Sequence, residues 1–159
     1  LLEGAREHAL PTLALNAPAE LTREIGRNGL EALDAAQLAQ VPELVLDDAE
    51  HRAFIFSLFG VLPEQAAEFG LENVYVAQTT WDETMAETAA RWLRHRVPGR
   101  QLVILAGSGH CRADGIPSRI TRRVHAKVSS VRPVVLGENE SPCEHLDGYD
   151  YAFVMEKDG

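Results

Sequence analysis

Gln101-Leu-Val-Ile-Leu-Ala106 runs directly into Gly107-Ser-Gly-His110. A short apolar run closed by glycines predicts a central strand of a parallel sheet, because such strands are covered on both faces. The glycines let the backbone turn sharply off the strand. His110 is therefore expected beside the strand's carboxyl end, where open α/β sheets bind their ligands. A neutral imidazole there can ligate iron or zinc, or take a proton. The plainer reading is a histidine that only hydrogen-bonds its own loop. Ser108 is no hydrolase nucleophile elbow, since Ala106 stands where G-x-S-x-G needs its first glycine. Gly107-Ser-Gly109 does not continue as the dinucleotide fingerprint G-x-G-x-x-G either.

Downstream, Cys111 and Arg112 extend the same loop. A cysteine can ligate a soft metal or haem iron, and an arginine can pair with a carboxylate or a haem propionate. Cys111 also suits a buried small apolar position. Pro117 to Arg123 reads as a short helix with proline in its first turn. Val131 to Leu136 and Tyr151 to Met155 read as strands. Gly137 to Asp150, rich in turn residues, reads as the loop between them.

Upstream, Thr80-Trp-Asp-Glu83 has the form of a capping box, so a helix is expected to start there or nearer Leu71. Trp81, Met85, Ala89, Trp92 and Val97 form its apolar stripe, with Glu83, Glu87, Arg91 and Arg94 away from it. Glu87 and Arg91 are spaced as an i,i+4 ion pair, and Pro98-Gly99 ends the segment. Gln78 and Asp82 lie beside the stripe and must find partners if buried. Asp47 and Asp48 open another helix whose Phe54, Ile55, Leu58 and Phe59 share a face, with Gly60 as its stop. Pro63 to Phe69 adds a turn or two more.

Near the start, Pro11 to Leu15 reads as a buried strand. Asn16 or Ala17 then caps a helix that has Pro18 and Glu20 in its first turn, and Gly29 to Leu33 is a further short helix. Leu1, Leu2, Ala5 and Ala9 recur at helical spacing from the first residue, so residues preceding Leu1 are expected. Strands alternating with helices predict an α/β domain: a mainly parallel sheet flanked by helices, with a ligand site at the carboxyl ends of the strands. Asn16 and the Gly107–His110 loop both fall at that edge.

Composition bounds what such a domain does. The 159 residues suffice for one domain, and 45% hydrophobic with 25% charged residues is ordinary for a globular chain. Fifteen Lys plus Arg against 24 Asp plus Glu give a net charge of −9, which repels phosphate backbones. The one dense basic stretch, Arg119, Arg122, Arg123, His125 and Lys127, is too short to argue for nucleic acid. No apolar run reaches the roughly 20 residues of a membrane span. Cys111 and Cys143 are too few for a disulfide framework and lack zinc spacing; a single bridge and two free thiols both remain open. His8, His51, His95, His125 and His145 share no metal-ligand spacing, and each is expected at the surface. Tyr75, Tyr149 and Tyr151 are expected in strands or core.

Three strings in order carry a resemblance: ALNAPAELTREIGRNGLEAL (Ala14 to Leu33), AQTTWDETMA (Ala77 to Ala86) and LAGSGHCRADGIPSRI (Leu105 to Ile120). Over roughly residues 1–135 the chain resembles the ChaN-like family. Members of that family show AQ-x-x-WD-x-x-MA followed by a G-x-G-H loop and GIP. The resemblance implies a haem- or iron-binding protein of bacterial iron uptake at the cell envelope, often a lipoprotein. Membrane association would then come only through an anchor or signal outside this chain. It also implies haem held between two copies, with a tyrosine on the iron, and a wider Tiki-like group that includes metal-dependent peptidases. Two departures stand out. The family's opening strand with G-E-x-H has no counterpart, so residues 1–159 read as one ChaN-like domain truncated on its N-terminal side. Cys111-Arg-Ala-Asp114 also stands where the family loop often carries tyrosine.

The combined reading is a haem-binding protein, more a binding module than an enzyme. His110 is iron ligand or propionate contact, Arg112 a propionate contact, and Gln78, Asp82 and Asn16 the pocket rim, over an apolar floor with Trp81 and Met85. Cys111 is a second candidate metal ligand. The rival reading is a metal-dependent hydrolase in which His110 joins the absent G-E-x-H residues around a divalent ion.

Overall fold

Twenty-four residues of unbroken helix, Glu72–His95, form the spine of the computed structural model, which describes residues 2–95, 99–135, 141 and 146–155. This helix, α5 in chain order, is about 36 Å long. Before it come α1 (Leu2–Glu7), α2 (Ala19–Asn28), α3 (Ala35–Leu38) and α4 (Ala49–Ser57). After it come α6 (Ile116–Arg123) and the strands β1 (Val131–Val135) and β2 (Tyr151–Met155). Single 3-10 turns lie at Leu30–Ala32, Pro63–Gln65 and Ser108–His110.

Helix α5 supplies every apolar cluster of the core. Tyr75 packs with Ile55, Phe56 and Ala66. Ala77 packs with Leu21, Ile25 and Leu33, so α2 lies against the same helix. Met85, Ala86 and Ala89 pack with Ile116 and Ile120 of α6. The small residues allow close approach: a methyl added at Gly26 would sit 3.6 Å from Ala77 Cβ, at ordinary contact distance. α4 starts as its sequence predicts, the Asp48 carboxylate accepting the His51 amide at 3.0 Å. A short 3-10 turn follows Gly29, whose φ of 83° suits glycine.

Several expectations are corrected. Of the two starts offered for α5, the one near Leu71 holds: the helix begins at Glu72, so Thr80 and Glu83 are mid-helix, and Thr80 Oγ1 donates to the Val76 carbonyl instead of capping. Glu83, expected on the solvent side, is fully buried. Pro18, not Asn16 or Ala17, precedes the first helical residue of α2, and it makes no side-chain cap. Leu58 and Phe59 are exposed beyond the end of α4. The Glu87–Arg91 pair is present at 3.2 Å. Val97, Pro98, Leu136, Cys143 and His145 lie outside the described residues.

The sheet differs most. Among the described residues it is β1 paired with β2, parallel, in the register Val131↔Tyr151 to Val135↔Met155. The chain thus combines helices with a small parallel sheet. Pro11 to Leu15 and Gln101 to Ala106, both read as strands, have no ladder partner there. Segment 101–106 still alternates. Leu102, Ile104 and Ala106 pack on the α5–α6 cluster, while Val103 and Leu105 are 79% and 68% exposed. An apolar run favours a strand, but a strand also needs a neighbour's amides and carbonyls, and periodicity cannot say where that neighbour is. His110 is held from α5, through Asp82.

The α2–α5 packing gives a direct test. Ile25→Ala, at a fully buried site, is expected to cost about 2–5 kcal/mol in urea denaturation.

Candidate functional site

Asp82 and Glu83 are consecutive on α5, and both are wholly inaccessible to solvent. A buried carboxylate is costly unless paired and hydrogen-bonded, and each of the two collects its own set of partners. Asp82 Oδ1 lies 2.5 Å from His110 Nδ1, and Oδ2 lies 3.0 Å from His51 Nε2. Behind His51, the Arg119 guanidinium reaches Nδ1 at 3.2 Å. Gln78 sits one helical turn before Asp82 on the same face, its side-chain amide 2.9 Å from His110 Nδ1.

The other carboxylate ties α6 to α5. Glu83 accepts from Arg122 at 2.9 Å and Arg123 at 2.5 Å, with Arg119 Nε at 3.4 Å. The Val45 amide adds a bond at 3.2 Å. Arg119 therefore lies between the two carboxylates, near Glu83 on one side and holding His51 on the other. It also donates to the backbone carbonyls of Asp114 and Gly115, where the loop after His110 enters α6.

Burial on its own would raise the Asp82 pKa. The hydrogen bonds from His110 and His51, with the positive Arg119 nearby, outweigh that, and the carboxyl is held below its ordinary value. An ionised carboxylate only accepts, so the short contact puts a proton on His110 Nδ1. Nδ1 cannot then also accept from Gln78; a half-turn of the Gln78 amide brings its oxygen to that N–H instead. His110 Nε2 has no protein partner among the described residues, and the side chain is 22% exposed. The Trp81 ring stands edge-on to the imidazole, centroids 6.1 Å apart at 89°.

The loop that delivers His110 is braced on its far side. Gly115 is required by close approach, since a Cβ there would lie 2.4 Å from the His110 carbonyl oxygen. Tyr149 donates its hydroxyl to the Ser108 carbonyl, and the Ala113 amide bonds the Gly148 carbonyl. Arg112 stacks over Phe54 at 4.1 Å and pairs with Asp114 at 3.1 Å and Asp147 at 3.3 Å. Its guanidinium is thus engaged with two carboxylates of the chain. The Cys111 thiol points to the Ala106 carbonyl at 3.7 Å. Burial, joined by the nearby Asp82 charge, pushes its pKa up and favours the protonated form over a metal-binding thiolate.

His110, Asp82, Gln78 and Trp81 thus come together as the sequence suggested. Arg112 and Cys111 flank them through the backbone. Asn16 is exposed and makes no hydrogen bond to this cluster. Met85 is buried in the α5–α6 core rather than lining a surface.

His51 is the main correction. Expected at the surface, it is fully buried, while His8, His95 and His125 are exposed. Its flanking residues Glu50 and Arg52 suggest a solvated stretch. The missed signal is its i,i+4 spacing to Ile55, which puts both on the buried face of α4. Arg119 and Glu83 were also missed as partners, because 36 residues of sequence separate them. Among the described residues no group of three or more His, Cys, Asp or Glu is placed to hold a metal ion.

The family described as haem-binding uptake, Tiki superfamily, ChaN, matches residues 1–120, most of the chain, with His51, Gln78, Asp82, Glu83, His110 and Arg119 inside the match. No curated protein and no solved structure matches the chain significantly.

Two outcomes follow from the buried carboxylates. Glu83→Gln removes the charge that answers three guanidiniums and is expected to cost about 3–5 kcal/mol in urea melts. Asp82 has a folded pKa below its unfolded value, so its stabilisation is complete above about pH 4 and is lost as pH falls through the folded pKa. Stability measured from pH 6 to pH 2.5 should therefore fall more steeply in the wild type than in Asp82→Asn.

Proposed function

The chain belongs to the ChaN family of haem-binding uptake proteins in the Tiki superfamily, and on that premise we propose that it binds haem at the His110 loop and serves iron uptake at the bacterial cell envelope. The observation that carries the reading is the state of His110. One ring nitrogen is held by a buried carboxylate, and the other has no protein partner among the described residues.

The donor set suits haem. A haem brings most of its iron's ligands with it, so a single side chain such as His110 would suffice to hold it. A bare zinc-like ion needs three or more protein ligands, and the described residues assemble no such group. Metal-centred hydrolysis would need ligands beyond His110 from outside the described residues, whereas the haem reading has the support of the family's haem-binding description. Trp81 adds an apolar ring beside His110, and its indole N–H finds no acceptor among the described residues. An apolar ring at this place matches the apolar face of a porphyrin. Arg112, already paired with Asp114 and Asp147, would contact a propionate only by exchanging one of them.

The test is a haemin titration followed at the Soret band, with wild type beside His110→Ala. A saturable shift, weakened at least about tenfold by the substitution, is expected. An unchanged affinity in His110→Ala would move the site off this loop, and the absence of any shift would overturn haem binding.

A further inference from the structure

We infer that the cleft where the second half of α5 meets the last turn of α6 binds a small hydroxylated acid. Its carboxylate or phosphate meets Arg94 and Arg122, and its hydroxyls meet Glu43 and Glu87. The cleft has a volume of about 360 Å³ and is lined by these four residues and Arg123, at the lower end of the sizes of small-molecule sites. It stands apart from the haem reading, because none of its lining residues bonds His110, Asp82 or Gln78 among the described residues.

The three arginines are not equally engaged. Arg123 is used by the fold: it pairs with Glu83 and donates to the carbonyls of Arg119 and Glu43, each at 3.1 Å. Arg122 gives Nη2 to Glu83 at 2.9 Å, but its Nε and Nη1 have no partner among the described residues, and its side chain is 34% exposed. Arg94 makes no hydrogen bond or ion pair among the described residues. Cations in the last turn of a helix complement its dipole, yet that role leaves these N–H groups without acceptors. A guanidinium presents its donors as a planar fork that matches a carboxylate or a phosphate.

Charge favours an acid here, and the acceptors shape it. The lining residues and their ion-pair partners set Arg91, Arg94, Arg122 and Arg123 against Glu43, Glu83 and Glu87. That is a local positive excess in a chain of net charge −9. A bare oxyanion would still face two glutamates. The Glu43 side chain has no partner among the described residues, and Glu87 commits only Oε1, to Arg91 at 3.2 Å. Carboxylate oxygens only accept, so a fitting ligand must bring donors. An ammonium would add to the positive excess, whereas hydroxyls donate without adding charge.

Isothermal titration calorimetry on the full chain at constant ionic strength tests the site, with tartrate, succinate and glycerol phosphate as probes. Tartrate and glycerol phosphate are expected to bind saturably at one site per chain, and the tighter of the two names the acid group. Succinate, which has the carbon skeleton of tartrate without its hydroxyls, should bind at least about fivefold more weakly. Arg94→Gln and Arg122→Lys should each weaken tartrate at least about tenfold. Arg27→Gln makes the same charge change in the last turn of α2 and should leave the affinity alone. Glu43→Gln removes a charge facing the anion and should tighten succinate. Arg94→Gln breaks no bond of the fold, so its circular dichroism melt should stay close to wild type.

Absence of saturable binding by tartrate and by glycerol phosphate overturns the site. Equal losses in Arg27→Gln and Arg94→Gln would reduce it to the general charge of the surface. A lower melting temperature in Arg94→Gln with tartrate affinity unchanged would leave the helix dipole as the role of Arg94. Succinate binding as tightly as tartrate would overturn the part given to Glu43 and Glu87.

Discussion

Two adjacent carboxylates on a buried helix are the constraint around which the rest of the molecule is arranged. Asp82 and Glu83 are both sealed from solvent, and interior charges of this kind must be answered by nearby partners. Consecutive helix positions point about 100° apart, so one set of partners cannot serve both. α4 and the His110 loop answer Asp82; the three arginines of α6 turn to Glu83. Apolar contacts hold these elements against α5, but they are tolerant of small slides. Hydrogen bonds of 2.5 to 3.2 Å between named atoms are not. The polar cluster therefore sets the register of α4, α6 and the loop on the central helix.

The Asp82 half of this cluster reaches the surface through His110. Of the side chains bonded to Asp82, His51 is closed to water and His110 is part-exposed. The network thus ends at an imidazole whose orientation is set from below and whose second nitrogen is free of protein partners among the described residues. Bracing from Tyr149, Ala113 and Gly115 keeps the loop from relaxing away. A ligand meeting this nitrogen finds a group already oriented, so less ordering entropy opposes binding.

Parts of this were legible in the residues. The tetrapeptide Gly107 to His110 and the pair Gln78 and Asp82 stood out because glycines, a histidine and unpaired polar groups beside an apolar stripe are local signals. The caps and stops at Asp48, Gly29 and Pro117 were likewise local, and β1 and β2 lie where their apolar runs indicated. The two starts offered for α5, at Thr80 or nearer Leu71, show the limit, since only the second holds. Thr80-x-x-Glu83 has the residue types of a capping box, but the helix already had a start at Glu72. With its carbonyl partner one turn back, Thr80 bonds Val76, and Glu83 is free to turn inward.

The sequence by itself determined most of the helical segments, where the Gly107–His110 loop lies and which family the chain resembles, because periodicity, capping chemistry and motif strings are written within a few residues of one another. The tertiary structure alone decided that His51 is interior, that Arg119 stands between the two carboxylates, and that segment 101–106 has no ladder partner among the described residues. Each of these depends on what another part of the chain brings near. His51 and Arg119 are 68 residues apart and meet only when α4 and α6 close on α5. Burial and charge pairing are pairwise properties in space, and no window along the chain contains both partners.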